Sequence, residues 1–165
     1  MRRGLVLALV AGSLIGVLVV AEVLGGSSSR AARAAPALPT TVLQQPGMTL
    51  TALRGKPAVV HFWASWCGPC TKEAPHIAAL SGALGTRAAL VGVDWSDNGA
   101  DARQFLRRHH WTFPVLEDKG GTVGERYGIA GLPTTFIVDA RGRITKKITG
   151  PITEQQILDA LPKSS

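Results

Sequence analysis

The feature that most constrains this chain is the placement of its two cysteines. Both fall in one Cys-x-x-Cys, at Cys67 and Cys70. The pair follows directly on a continuous β-prone run, Ala58 to Ala64, in which Val59, Val60, His61, Phe62 and Trp63 succeed one another without a break. Such a run suits a strand covered on both faces. Beyond the pair, Ile77, Leu80 and Leu84 form an apolar stripe at helical spacing, so a helix is expected to open at Cys67. Two cysteines cannot build a disulfide framework. With no second pair to complete four zinc ligands, the spacing argues for redox work before metal work.

The rest of the domain follows from the same reading. Thr40 to Leu53, with Gln44-Gln45-Pro46-Gly47 as a turn signal, suggests an N-terminal hairpin. Ala89 to Trp95 reads as a second buried strand, and Ala102, Phe105, Leu106 and His109 trace one face of a helix. Phe113 to Leu116 suits a short strand and Gly121 to Tyr127 a short helix. Thr135 to Val138 and Ile144 to Ile148 flank Ala140-Arg141-Gly142-Arg143, a hairpin signature. Thr153-Glu154-Gln155-Gln156 fits a capping box ahead of Ile157, Leu158 and Leu161. The order β-α-β-α-β-α-β-β-α with a leading hairpin predicts an α/β domain, a mixed sheet with helices on both faces. A length of 165 residues suits one such domain and is short for two.

Hydrophobic residues make up 45% of the chain, and the excess is concentrated at the N-terminus. Arg2 and Arg3 precede an almost unbroken apolar run from Gly4 to Ala21, followed by Glu22, Val23 and Leu24. About twenty such residues, as a helix, span a hydrocarbon core of about 30 Å. The two arginines favour a cytoplasmic N-terminus with the remainder outside. An uncleaved anchor is preferred to a cleaved secretory signal, because the nearest small-residue site, Ala32-Arg33-Ala34, lies far downstream. A buried core helix is the third reading. Gly25 to Pro39 is rich in Gly, Ser, Ala and Pro without apolar periodicity, and reads as a flexible tether. The expected organisation is thus residues 1–24 as anchor or signal, 25–39 as linker and 40–165 as the folded domain. The formal charge of +7 is spread over scattered pairs (Arg107-Arg108, Arg141 and Arg143, Lys146-Lys147) with no aromatic-interleaved stripe, which argues against nucleic acid.

A cysteine in the first turn of a helix meets unpaired amide N–H groups and the positive end of the dipole. Both favour the thiolate, so Cys67 should titrate below the free value of about 8.5. Pro69 sits where its missing amide proton is not needed, and Gly68 keeps the approach to sulfur open. Cys70, one turn further and on the inner side, is the resolving partner of the nucleophile Cys67. Stepping back four residues from Ile77 lands on Glu73, a carboxylate at the head of the apolar stripe and one turn from Cys70. Burial favours its protonated form, which makes it a candidate to exchange a proton with Cys70. The competing reading is an exposed first-turn acid that complements the dipole. His61 lies mid-strand between two covered faces, so its ring needs a partner; a second proton acceptor near Cys70 and a satisfied core histidine both stay open. His76, His109 and His110 read as surface or helix-end residues.

Leu53-Arg54-Gly55-Lys56-Pro57, Phe62-Trp63-Ala64-Ser65-Trp66-Cys67-Gly68-Pro69-Cys70 and Gly131-Leu132-Pro133-Thr134-Thr135-Phe136 together resemble the thioredoxin superfamily, and within it the TlpA/ResA/CcmG group of membrane-tethered bacterial redoxins. The resemblance runs from about Thr40 to Leu161. It implies a thioredoxin-like fold with an inserted strand and helix between Val93 and Leu116, and a helix kinked at Pro75. It further implies a cis Pro133 facing the disulfide, and substrate contact through Trp66, Leu132 and Pro133 by strand addition. Glu73 matches the acid that follows the second cysteine in ResA-like members. At the place of His61 thioredoxin has a buried aspartate and ResA-like proteins commonly asparagine, so the proton route is expected to differ here. The CcmG subgroup carries an acid-containing loop at its cis-proline, unlike Leu132-Pro133-Thr134-Thr135.

The function expected is extracytoplasmic thiol–disulfide exchange, by a reductant of protein disulfides that include the haem-binding cysteines of an apocytochrome c. Gly-Pro between the cysteines resembles thioredoxin, whose site lies near −270 mV, against about −120 mV for the oxidant DsbA. A reductant in an oxidising compartment needs a membrane electron donor. No cofactor beyond the Cys67–Cys70 couple and no metal are expected. Two alternatives remain: an oxidant that introduces disulfides, and a thioredoxin-like metal-delivery or binding module.

Overall fold

A computed structural model of the protein describes residues 32–162. The apolar run and residues 25–31 of the tether lie outside these residues, and no helix among those described is long and apolar enough to cross a membrane. The buried runs Ala58–Trp63 (β3) and Ala89–Trp95 (β4) pair in parallel at the centre of a seven-stranded sheet. Val115–Asp118 (β5) continues the parallel set beside β4. Thr134–Val138 (β6) lies antiparallel to β3, and Arg143–Thr149 (β7) antiparallel to β6 through the predicted hairpin. Arg33–Ala34 (β1) and Thr41–Gln44 (β2) close the two edges, giving the order β1-β7-β6-β3-β4-β5-β2.

Side chains of β3 alternate between two cores, as the period of a strand requires. On one face Val59 and Trp63 meet Gly68–Leu84 (α1), Gly99–Arg108 (α2) and Glu154–Ala160 (α4) through Ile77, Leu80, Phe105 and Ile157. On the other, Val60 and Phe62 pack with Val123 and Tyr127 of Thr122–Tyr127 (α3) and with Phe136. The α/β layering expected from the sequence is the architecture observed. α1 continues through Pro75, and α4 starts with the predicted capping box: Thr153 Oγ1 accepts from the Gln156 amide, and the Gln156 side chain from the Thr153 amide.

Two expectations are corrected. The leading hairpin is absent: β2 pairs antiparallel with β5 instead, on the far edge of the sheet. Leu43 is buried there, and the Gln44 side-chain amide donates to the carbonyls of Trp111 (3.0 Å) and Phe113 (2.7 Å), fixing β2 across the sheet rather than back on itself. The tether does not run to Pro39 either. β1 pairs with β7, the Arg33 guanidinium donates to the Tyr127 carbonyl at 2.7 Å, the Tyr127 hydroxyl donates to the Pro36 carbonyl at 2.8 Å, and Leu38 is buried. The folded part therefore includes residues 32–39, ahead of the boundary expected at Thr40.

Candidate active site

Cys67 is the N-cap of α1, with extended backbone, and Pro69 stands in the first turn. A side chain at that position faces the helix's unpaired amides, and here the Cys70 N–H donates to Cys67 Sγ at 3.2 Å. Cys67 and Cys70 are joined as a disulfide. Cys67 retains 4% of its surface and Cys70 none, so the exposure runs in the order expected for attack through Cys67.

The turn leading into the cysteines is docked onto the segment after β4. Asp97 accepts from the Ser65 amide (2.5 Å) and the Ser65 hydroxyl (3.0 Å), while its own Oδ1 also takes the Asn98 amide (2.7 Å). The Trp66 indole N–H donates to the Ser96 carbonyl at 3.1 Å, and the residue as a whole is 59% exposed. Trp66 is thus held by its polar edge with its apolar face presented to solvent beside the disulfide.

Leu132–Pro133 is a cis peptide. Thr134, the residue after it, pairs with Phe62 near the end of β3, so the cis bond and the cysteine turn share one end of the sheet. Leu132 packs against the core cluster that holds both cysteines. The Pro133 carbonyl accepts the Gly150 amide at 2.9 Å, and Thr134 Oγ1 donates to the Gly131 carbonyl at 2.7 Å, which fixes the loop from both sides.

Glu73 is buried, at 2% exposed, rather than an open first-turn acid. Its Oε2 accepts the Ile152 amide at 2.9 Å, and its Oε1 lies 3.3 Å from Nε2 of His61. His61 is fully buried, and its Nδ1 meets Thr135 Oγ1 at 2.9 Å. The Nε2–Oε1 contact is within ion-pair distance but is not aligned as a hydrogen bond, leaving both atoms without another partner. The Trp111 ring meets the imidazole edge-on at 5.9 Å and donates its N–H to the Ala74 carbonyl of α1 at 3.0 Å.

Sequence reasoning named the cysteines, Glu73, Trp66, Leu132 and Pro133, and raised His61 without giving it a partner. It missed Asp97 and Asp94. Asp94 sits fully buried at the end of β4, directly across from Trp63, and neither carboxyl oxygen has an aligned hydrogen-bond partner. Burial above all, then the charge and carboxylate contact of Asp97 and the charges of Glu117 and Asp118, push its pKa up to about 9. The available signals were an acid inside the apolar run Ala89–Trp95 and the turn-forming trio Ser96-Asp97-Asn98 after it. His109 caps α2 at its C-terminal end and leans on Phe105 (4.3 Å), and burial, with Arg108 and His110 nearby, lowers its pKa.

Comparison with known proteins returns one consistent group. The profile of the AhpC/TSA family matches residues 31–147. The thiol-disulfide oxidoreductase ResA of Bacillus thuringiensis subsp. konkukian is 31% identical over 130 residues, covering 78% of this chain and 75% of that protein. The thiol:disulfide interchange protein HelX of Rhodobacter capsulatus is 40% identical over 104 residues, covering 62% of this chain and 57% of HelX. Among solved structures, StoA from Bacillus subtilis superposes with a TM-score of 0.68 at 27% identity, over 76% of this chain and 96% of StoA.

Proposed function

This chain belongs to the AhpC/TSA family and is a thiol–disulfide oxidoreductase, and from that premise we propose that it reduces protein disulfides outside the cytoplasm through Cys67 and Cys70. The observation that carries this reading is the disulfide-bonded cysteine pair at the mouth of α1, with an amide donor on the outer sulfur and a buried carboxylate one turn below the inner one. The reaction balances as follows. The Cys67 thiolate attacks one sulfur of the substrate disulfide, forming a mixed disulfide and releasing a substrate thiolate. Cys70 gives its proton to Glu73, and the resulting thiolate attacks Cys67 Sγ. The second substrate thiolate then leaves, and the protein holds the Cys67–Cys70 bond. Two electrons have passed to the substrate, whose thiolates take protons from water.

Trp66, Leu132 and Pro133 are assigned to substrate contact: an exposed indole face and a loop backbone at the same sheet end suit an extended segment laid beside the cysteines. Gly68-Pro69 supports the reducing direction. The apolar run from Gly4 supports a tether to the membrane, with a membrane dithiol donor to restore the reduced form. An apocytochrome c with its haem-binding cysteine pair is the substrate class proposed.

The test combines two measurements. The Cys67–Cys70 couple is expected near −270 mV, and a value above about −150 mV would assign the protein to disulfide introduction instead. Cys70→Ser is expected to accumulate client proteins as mixed disulfides on Cys67; a variant that captures none would remove the protein-substrate reading.

A further inference from the structure

The proton that Cys70 gives up must be held somewhere, and the buried surroundings of Glu73 restrict where. Glu73 is 2% exposed and His61 0%, so neither side chain exchanges freely with bulk water. Glu73 Oε2 is already committed to the Ile152 amide. The remaining oxygen, Oε1, faces His61 Nε2 at 3.3 Å, and neither atom has any other partner. On the far side of the ring, Nδ1 is fixed by the Thr135 hydroxyl, which either donates or accepts. The imidazole can therefore carry its proton on Nδ1, on Nε2 or on both, without turning and without losing its β6 partner.

We propose that His61 is a positioning residue for the resolving step, and that His61 and Glu73 together form a two-place proton store for Cys70. This rests on the role given to Glu73 above and adds the group that receives the proton from it. When Cys70 is deprotonated, the proton passes to the carboxylate and is shared with Nε2. While the proton moves, the buried trio of Cys70, Glu73 and His61 keeps one negative charge, which departs on the substrate thiolate when Cys70 attacks Cys67 Sγ, so no additional charge is created in a region where an isolated ion is costly.

The groups that face the pair are few. On α1, Cys70 lies one turn before Glu73; the Thr135 hydroxyl meets the pair from β6, the Trp111 ring from the segment before β5, and the Ile152 amide from the segment before α4. The last three are uncharged, which leaves Cys70, Glu73 and His61 as the titrating members of this contact set.

The experiment uses the full-length chain and follows the second step alone, by stopped-flow release of a thiol from a preformed mixed disulfide on Cys67, between pH 5 and 9. A positioned proton-transfer group contributes roughly 10²–10⁴-fold, so Glu73→Gln is expected to lose at least about 100-fold and His61→Asn, which keeps the carboxylate but not its partner, about tenfold at pH 7. His61→Asn should also remove one ionisation from the pH profile while leaving iodoacetamide labelling of Cys67 unchanged. A His61→Asn profile that superimposes on the wild type, beside a crippled Glu73→Gln, overturns the store and spares the role of Glu73. A wild-type rate in Glu73→Gln overturns both. Should His61→Asn fail to fold, ¹⁵N shifts of the His61 ring in the unmodified protein decide: a protonation state that differs between the oxidised and reduced forms supports the proposal, and one identical in both across the pH range overturns it.

Discussion

Asp94→Asn isolates the energetic cost of a buried acid from everything else in the site. In the folded protein the Asp94 carboxyl is pushed up to about 9, first by burial and then by Asp97, Glu117 and Asp118, whereas in the unfolded chain it returns to its ordinary 3.8. The sign follows from proton counting. Between those two values the folded protein holds a proton that the unfolded chain releases, so unfolding is favoured as pH rises. The contribution of Asp94 to stability is at its fullest below the unfolded value, declines as pH climbs, and stops declining above about 9. Each pH unit in that window costs about 1.4 kcal/mol, which makes pH 7 about 4 kcal/mol worse than pH 4 from this group alone. Asparagine has the shape of the protonated acid and no charge to lose. Urea unfolding of the oxidised protein, wild type and Asp94→Asn side by side, should show the variant gaining on the wild type by about 1.4 kcal/mol per unit from pH 5 to 8. A stability difference that stays level over that range would refute the reasoning, because it would mean the carboxyl is ionised in the fold and its oxygens are solvated.

Two further outcomes follow from packing at the other face. At Gly124, a Cβ would overlap the Trp95 indole, whose N–H donates to the Gly121 carbonyl at 3.0 Å. Gly124→Ala should therefore cost about 1–3 kcal/mol of stability by overpacking, seen as a lowered Tm, with the potential of the cysteine couple unmoved. Deleting the chain through Pro39 removes β1, the Arg33 and Pro36 contacts with Tyr127, and buried Leu38. Burial of one Leu side chain is worth about 1.5–3 kcal/mol, so the truncated protein should melt at clearly lower temperature than one beginning at Ala32, and equal melting curves would return these residues to a tether.

How far the fold could be read from the sequence depended on whether an element carries its own signal. β4 spans Ala89–Trp95 as expected, because a fully buried strand is an apolar run with recognisable ends. α1 and α4 announced themselves by a stripe and by a capping box. β1 and β2 did not, since edge strands this short show no period, and their partners β7 and β5 lie far along the chain. Gln44 illustrates the difficulty: beside Pro46 and Gly47 it looks like part of a turn, yet its side chain closes hydrogen bonds to Trp111 and Phe113 that no local pattern encodes.

The site divides along the same line. Cys67, Cys70 and Glu73 were legible because their placement depends on one helix: its first turn and its buried stripe. The contact of His61 with Glu73 needs the strand, the helix and the Ile152 amide together, which only the tertiary fold supplies. Asp97 stands between these cases. β3 and β4 are parallel, with Trp63 opposite Asp94, so the residues that leave each strand emerge at the same end of the sheet. Ser65 lies two residues past Trp63 and Ser96 two past Asp94, which sets the turn before the cysteines against the turn that contains Asp97. Parallel pairing of the two buried runs, already implied by an α-helix crossing between them, was thus sufficient to bring an acid against the cysteine turn. What it could not supply was which of Asp94 and Asp97 faces Ser65, because the chain leaves the extended conformation at Ser96, where φ is 53°, and the alternation of faces ends with the strand.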